Sequence, residues 1–189
     1  MNSNIKTILK SAMAVTVLSA AVYAVLPKQL PLTESLPLSH AKASNNITVV
    51  GQWANIVGVN NWPAVYVNLT TGSQSLNYNG QVVFSRFANA TLSANPGFEL
   101  RTVMQDISSV SANDWLSGTP VSSLGNNEWY EFDLSTISIW PIQPITVLVG
   151  NPSGALYALK LNNFSDIQQR VINGETQMKA DAIIEVKAL

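Results

Sequence analysis

The stretch V-L-V-G-N-P-S-G-A-L-Y-A-L-K-L-N-N-F-S-D, residues Val147 to Asp166, decides the fold. A β-branched and leucine run, Ile145 to Val149, meets the turn cluster Gly150 to Gly154, and Ala155 to Leu161 then alternates apolar and polar side chains until Asn162-Asn163. Pro152 presets one turn dihedral, so the segment reads as a β-hairpin whose strands are antiparallel neighbours. The C-terminal run repeats the two-residue period. From Gln177 to Leu189, Met178, Ala180, Ala182, Ile184, Val186 and Ala188 fall on one face and mostly polar residues on the other, with Ile183 the exception.

Working outward, further strands are expected over Ile47–Gln52, Ala64–Leu69, Gln81–Ala94, Phe98–Met104 and Glu128–Leu134, each bounded by separators containing Gly, Pro or Asn. Only Ser165–Ile172 suggests a helical turn or two, with Ser165 as N-cap and Asn173-Gly174 as the stop. The fold class expected is all-β: one antiparallel β-rich domain with at most one short helix.

The N-terminus places Lys6 and Lys10 before the apolar run Ala12–Leu26. Fifteen residues fall short of the roughly 20 a membrane-spanning helix needs, so an export signal is expected, with a signal anchor as the alternative. Ala41-Lys42-Ala43 offers a small-x-small cleavage site, Val22-Tyr23-Ala24 an earlier one, and Pro27, Pro31 and Pro37 mark a linker. The domain reading is residues 1–43 as signal and Pro-rich linker and 44–189 as the β domain, exported to the periplasm or beyond. The chain has no cysteine, which excludes disulfides, zinc-thiolate sites and a lipoprotein anchor. Residues 1–43 hold four of the ten basic and one of the eleven acidic residues, so six and ten remain, a net charge of −4. Such a surface repels phosphate backbones and excludes nucleic acid as a partner.

Catalysis finds little support. Cysteine is missing and the single histidine, His40, lies outside the β domain, so the usual nucleophile–base pairs cannot be assembled. Glu128, Glu131 and Asp133 read as a solvated strand rather than a carboxylate pair, no Gly-rich phosphate loop follows a strand, and no enzyme is expected.

Four segments in order resemble the HmuY family of secreted bacterial haem-binding proteins: W-P-A-V-Y-V-N-L-T-T-G (Trp62–Gly72), Q-V-V-F-S-R-F-A-N-A-T-L-S-A-N (Gln81–Asn95), W-Y-E-F-D-L (Trp129–Leu134), and the opening hairpin followed by Gly174. Together they cover most of residues 62–189. The resemblance implies a nearly all-β fold with one short helix, haem held in a cleft between hairpins, and delivery of haem or a related tetrapyrrole to an outer-membrane receptor. It also implies two axial donors to the iron, histidine or methionine. Leu134 stands where a family histidine would follow the Glu-Phe pair and His40 is outside the domain, so two-histidine ligation is excluded.

The donors left to a haem site are Met104 and Met178, the only methionines after the N-terminal segment. Met178 falls on the apolar face of the last strand, where core packing competes with ligation, and Met104 ends a strand beside a loop. Tyr130, at a strand start, and Trp140, in I-W-P-I-Q-P, are the expected cofactor-lining residues; Tyr66, Tyr78 and Tyr157 are further phenols and Trp115 a second loop tryptophan. The competing reading is a family relative without cofactor that acts as a surface or adhesion module for a protein or glycan.

Overall fold

The computed structural model describes residues 43–58, 61–133, 135–136 and 138–189. The export-signal and linker readings, His40 and Leu134 lie outside them.

Among the described residues fourteen strands form: β1 Ser44–Val49, β2 Ala54–Asn55, β3 Val65–Val67, β4 Gln74–Ser75, β5 Val82–Ser85, β6 Thr91–Ala94, β7 Glu99–Val103, β8 Thr119–Val121, β9 Ser123–Leu124, β10 Tyr130–Asp133, β11 Ser138–Pro141, β12 Thr146–Asn151, β13 Gly154–Ile172 and β14 Glu175–Ala188. Every strand pair is antiparallel. One sheet runs β1-β14-β13-β12-β7-β8 with β2 also on β14, a second runs β4-β3-β5-β6-β9, and β10-β11 form a separate ribbon. The all-β expectation is met. Helical backbone among the described residues is confined to two 3-10 turns, Phe87–Asn89 and Ala112–Trp115.

The hairpin at Val147–Asp166 forms as the sequence predicts. Asn151 pairs with Gly154 across a two-residue loop, and the Asn151 Oδ1 accepts the Ser153 N–H at 2.8 Å, so the asparagine closes the turn it begins. The expected helix at Ser165–Ile172 does not form. Those residues continue β13, paired to β14 as far as Ile172↔Glu175. Asn173 (φ 54°) and Gly174 (φ 80°) are both left-handed, the geometry of a type I′ hairpin, so the pair read as a helix stop turns the chain between strands. The expected single strand Gln81–Ala94 also breaks, into β5, the first 3-10 turn and β6.

The main core lies against one face of the large sheet and includes Val65, Phe84, Leu92, Leu100, Trp129, Val149, Leu159, Leu161, Met178 and Ile184. The other face is covered by the connection between β7 and β8, whose Ile107, Val110 and Trp115 pack with Val103, Leu148 and Ala158. Trp115 therefore covers the sheet rather than a cavity. The Arg101 guanidinium sits 4.7 Å from its ring centre and donates to its carbonyl at 3.0 Å. Lys187 on β14 donates to the carbonyls of Ile107, Ser108 and Val110, tying that connection to the sheet. Gly51 lies so close to β14 that a Cβ there would stand 1.9 Å from the Ala180 oxygen, which fixes how the chain leaves β1.

With no disulfide to hold them, several surface turns are closed by aspartates. Asp106 accepts from the Ser108 hydroxyl at 2.7 Å and N–H at 3.0 Å and pairs with Lys160 at 3.0 Å; Asp133 accepts from Ser135 and Thr136; Asp114 and Ser111 bond reciprocally; Asp166 pairs with Lys179. These bonds hold all four carboxyls below their ordinary value of 3.8, for Asp106 chiefly through Ser108. A depressed carboxylate stabilises the fold above its unfolded pKa and ceases to as pH falls through the folded value. The urea midpoint is therefore expected to be level from about pH 7 to 5 and to fall below about pH 4. Asp106→Asn should flatten part of that fall, and a midpoint unchanged down to pH 2 would contradict the assignment.

Candidate functional site

The cleft begins with a backbone irregularity. After β5 the chain passes through Arg86 (φ 58°), Ala88 (φ 52°) and Asn89 (φ 51°), three non-glycine residues at positive φ within four positions, Arg86 with an extended ψ of −158°. Asparagine tolerates that region; arginine and alanine adopt it at a cost of about 1–2 kcal/mol each, so surrounding structure must impose it. Asn89 is the device. Its side chain is buried, accepts the Gln52 N–H at 2.9 Å, and donates to the Pro63 carbonyl at 2.7 Å and the Phe84 carbonyl at 3.3 Å. One amide thus joins three chain segments and forces the tight turn that aims Arg86 and Phe87.

Opposite this turn stands the β10-β11 ribbon. Phe87 packs on Phe132 with ring centres 4.1 Å apart and on Trp62 at 5.0 Å. Between turn and ribbon opens a cavity of about 560 Å³, lined on one side by Arg86, Phe87 and Thr91 and on the other by Glu128, Tyr130 and Phe132. That volume suits a small-molecule ligand. The Tyr130 hydroxyl is pushed up from its ordinary 10 by burial, with a Thr91 hydrogen bond and the Arg86 charge opposing the shift. It stays a neutral phenol. Glu128 is occupied in part by the Gly125 N–H, which it accepts at 2.8 Å. The cleft thus combines aromatic side chains, the exposed Arg86 guanidinium as its one cationic group, the Glu128 carboxylate, and the hydroxyls of Tyr130, Thr91 and Ser123, a set that can receive an aromatic ligand with an anionic group placed at Arg86.

Of the residues expected from sequence, Tyr130 alone lines this cleft. Trp140 pairs opposite Glu131 on the ribbon and donates its Nε1–H to that carboxylate at 3.0 Å. Because side chains alternate along a strand, it lies on the ribbon face away from Tyr130 and Phe132. Met178 is wholly buried in the main core beside β2, and Met104, beyond the end of β7, is 68% exposed. Three strand spacings separate β7 from β14, about 14 Å of sheet, so the structure does not bring the two thioethers together. Two thioether donors to one iron are not what these residues provide, and the cleft itself contains neither sulfur nor imidazole. Among the described residues no group of three or more His, Cys, Asp or Glu side chains is placed to hold a metal ion.

Sequence reasoning gave no site role to Arg86, Phe87, Asn89, Thr91 or Phe132, which it met only within the resembling segments Gln81–Asn95 and Trp129–Leu134. The one signal available was Asn89 inside an otherwise strand-like run. A larger cavity, about 790 Å³, lies between β1 and the Thr70–Gly72 turn, and its lining is mainly amides and hydroxyls. No helix among the described residues is long and apolar enough to cross a membrane. Comparison with protein-family models, with curated proteins and with solved structures finds no match.

Proposed function

We propose that this chain is an exported binding protein that takes a flat, carboxylate-bearing tetrapyrrole, haem or a relative of it, into the cleft between Arg86-Phe87 and β10, for delivery to an outer-membrane receptor. The observation that carries the reading is the convergence of Phe87, Phe132 and Tyr130 on one cavity with the guanidinium of Arg86 at its edge. Ring faces supply dispersion contact to a macrocycle, and a guanidinium forms paired, charge-assisted hydrogen bonds to a carboxylate arm. The four-segment resemblance to the HmuY family supports the class of ligand.

With no nitrogen or sulfur donor in the cleft, affinity on this reading comes from the macrocycle and its carboxylates. Haemin and metal-free protoporphyrin should therefore bind within about a factor of ten of each other, a difference below about 1.4 kcal/mol. Arg86→Ala should weaken both by about tenfold to a hundredfold, the worth of a hydrogen bond to a charged group. Titration followed by tryptophan fluorescence and by porphyrin absorbance measures each. The absence of saturable quenching with either compound would reject the tetrapyrrole reading and favour a cofactor-free module that recognises a protein or glycan.

A further inference from the structure

The sheet face that carries the main core opens into a cavity at one end. Along β1, Asn45, Ile47 and Val49 share that face, opposite Val186, Ile184 and Ala182 of β14, and Tyr157 of β13 lies opposite Ala188. Val49 and Ile184 are buried, whereas Asn45 is exposed and Tyr157 half-buried. Beside this end stands the turn Leu69–Gly72, and the 790 Å³ cavity lies between turn and sheet.

The turn is held in place by the protein itself. The Asn68 side chain accepts the N–H groups of Thr70 and Thr71 at 2.9 and 3.1 Å, and its carbonyl accepts that of Gly72 at 2.7 Å. The Thr70 and Tyr157 hydroxyls meet at 2.6 Å, bracing the turn against the sheet. That contact uses one of their two hydrogens, so the pair keeps a donor and spare lone pairs for a ligand. The Gln74 amide is engaged with the backbone of Thr48 and Val50, and Asn46 Oδ1 accepts from Asn162 at 3.4 Å, so these two residues shape the wall.

None of the lining residues is charged. Alternation along β14 sends Glu185 and Lys187 to the other face of the sheet, where Lys187 bonds the connection between β7 and β8. A charged ligand would shed water here with no opposite charge to receive it, and a purely apolar one would strand amides and hydroxyls. The lining instead sets apolar surface from Ile47, Val186, Ala188 and the Tyr157 ring beside the Asn45 carboxamide and the hydroxyls of Thr70 and Thr71. A ring with C–H groups on its faces and hydroxyls around its rim meets both demands.

We propose that this cavity binds a short neutral saccharide, with a sugar face against Tyr157 and Val186 and hydroxyls bonded by Asn45 and the Thr70–Tyr157 pair. It shares no lining residue with the cleft, so it stands or falls apart from the tetrapyrrole reading. Calorimetric titration of the full chain with maltotriose, cellotriose and chitotriose, all neutral, and with trigalacturonate, an anionic counterpart, tests it. At least one neutral sugar should bind saturably, and about tenfold or more tightly than trigalacturonate, whose carboxylates find no partner. Asn45→Leu and Thr70→Val, each close in size to the residue replaced, should each weaken that sugar by about tenfold with an unchanged melting temperature. No binding of any neutral trisaccharide, equal affinity for trigalacturonate, or binding that survives either variant intact would overturn the inference.

Discussion

Trp129→Ala is expected to lower the unfolding free energy by about 3–5 kcal/mol, the range for deleting a fully buried large aromatic side chain. Trp129 is 1% exposed, sits 6.4 Å from the Phe84 ring, and donates its Nε1–H to the Ala90 carbonyl at 3.0 Å. Its own N–H bonds to Gly125 and its carbonyl to Ile142, so it anchors both ends of the ribbon's approach to the core. Trp129→Phe separates the two contributions. It refills much of the space but leaves the Ala90 carbonyl unpaired, which costs about 1–3 kcal/mol. Urea unfolding at constant slope measures both. An alanine variant within 1 kcal/mol of the parent would show that the core closes without this ring.

The same tryptophan illustrates what the sequence discloses. Its neighbours Tyr130 and Phe132 alternate with Glu131 and Asp133, so the ribbon strand and its two faces are legible from period alone. The Val147–Asp166 hairpin is legible for another reason: its turn residues each have a steric or hydrogen-bonding role that few alternatives share. The outer half of β13 is not. From Asp166 to Ile172 every side chain is exposed, so no burial imposes a two-residue period, and the strand is held by the backbone ladder of β14 across the Asn173-Gly174 turn. A polar stretch with a serine at its head and Asn-Gly at its tail satisfies the local rules for a short helix equally well. Tertiary pairing decides, and local sequence does not record it.

The cleft is hidden for a related reason. Its walls come from residues near 86–91 and 123–132, which no local spacing connects, and its turn uses positive φ at Arg86 and Ala88, where sequence rules expect glycine. The methionines were conspicuous because the chain has few of them. Chemical rarity drew attention to Met104 and Met178, while ordinary residues held by one buried amide shape the cavity.

That amide supplies the second large expected effect. Asn89→Asp keeps the size of the side chain and the acceptor for the Gln52 N–H but replaces the group that donates to Pro63 and Phe84. A buried carboxylate would then face two carbonyl oxygens, and the expected loss at pH 7 is about 3 kcal/mol or more. The introduced acid should have its folded pKa raised, since both burial and the carbonyls oppose its charge. With the folded value above the unfolded one, the variant keeps the most stability below about pH 4, where the acid is protonated in both states, and loses it as pH rises through the folded pKa. The gap between parent and variant should therefore narrow on acidification because the variant gains stability, whereas for Asp106→Asn it narrows because the parent loses it. Asn89→Ala has no titrating group, so its deficit should not change with pH through this residue. Both variants release the constraint on Arg86 and Phe87, and porphyrin binding should weaken by at least the factor seen for Arg86→Ala, even at temperatures where the variant remains folded. A variant with full stability at pH 7 would mean that the left-handed turn is held by something other than Asn89, and the account of how this sequence builds its cleft would have to be replaced.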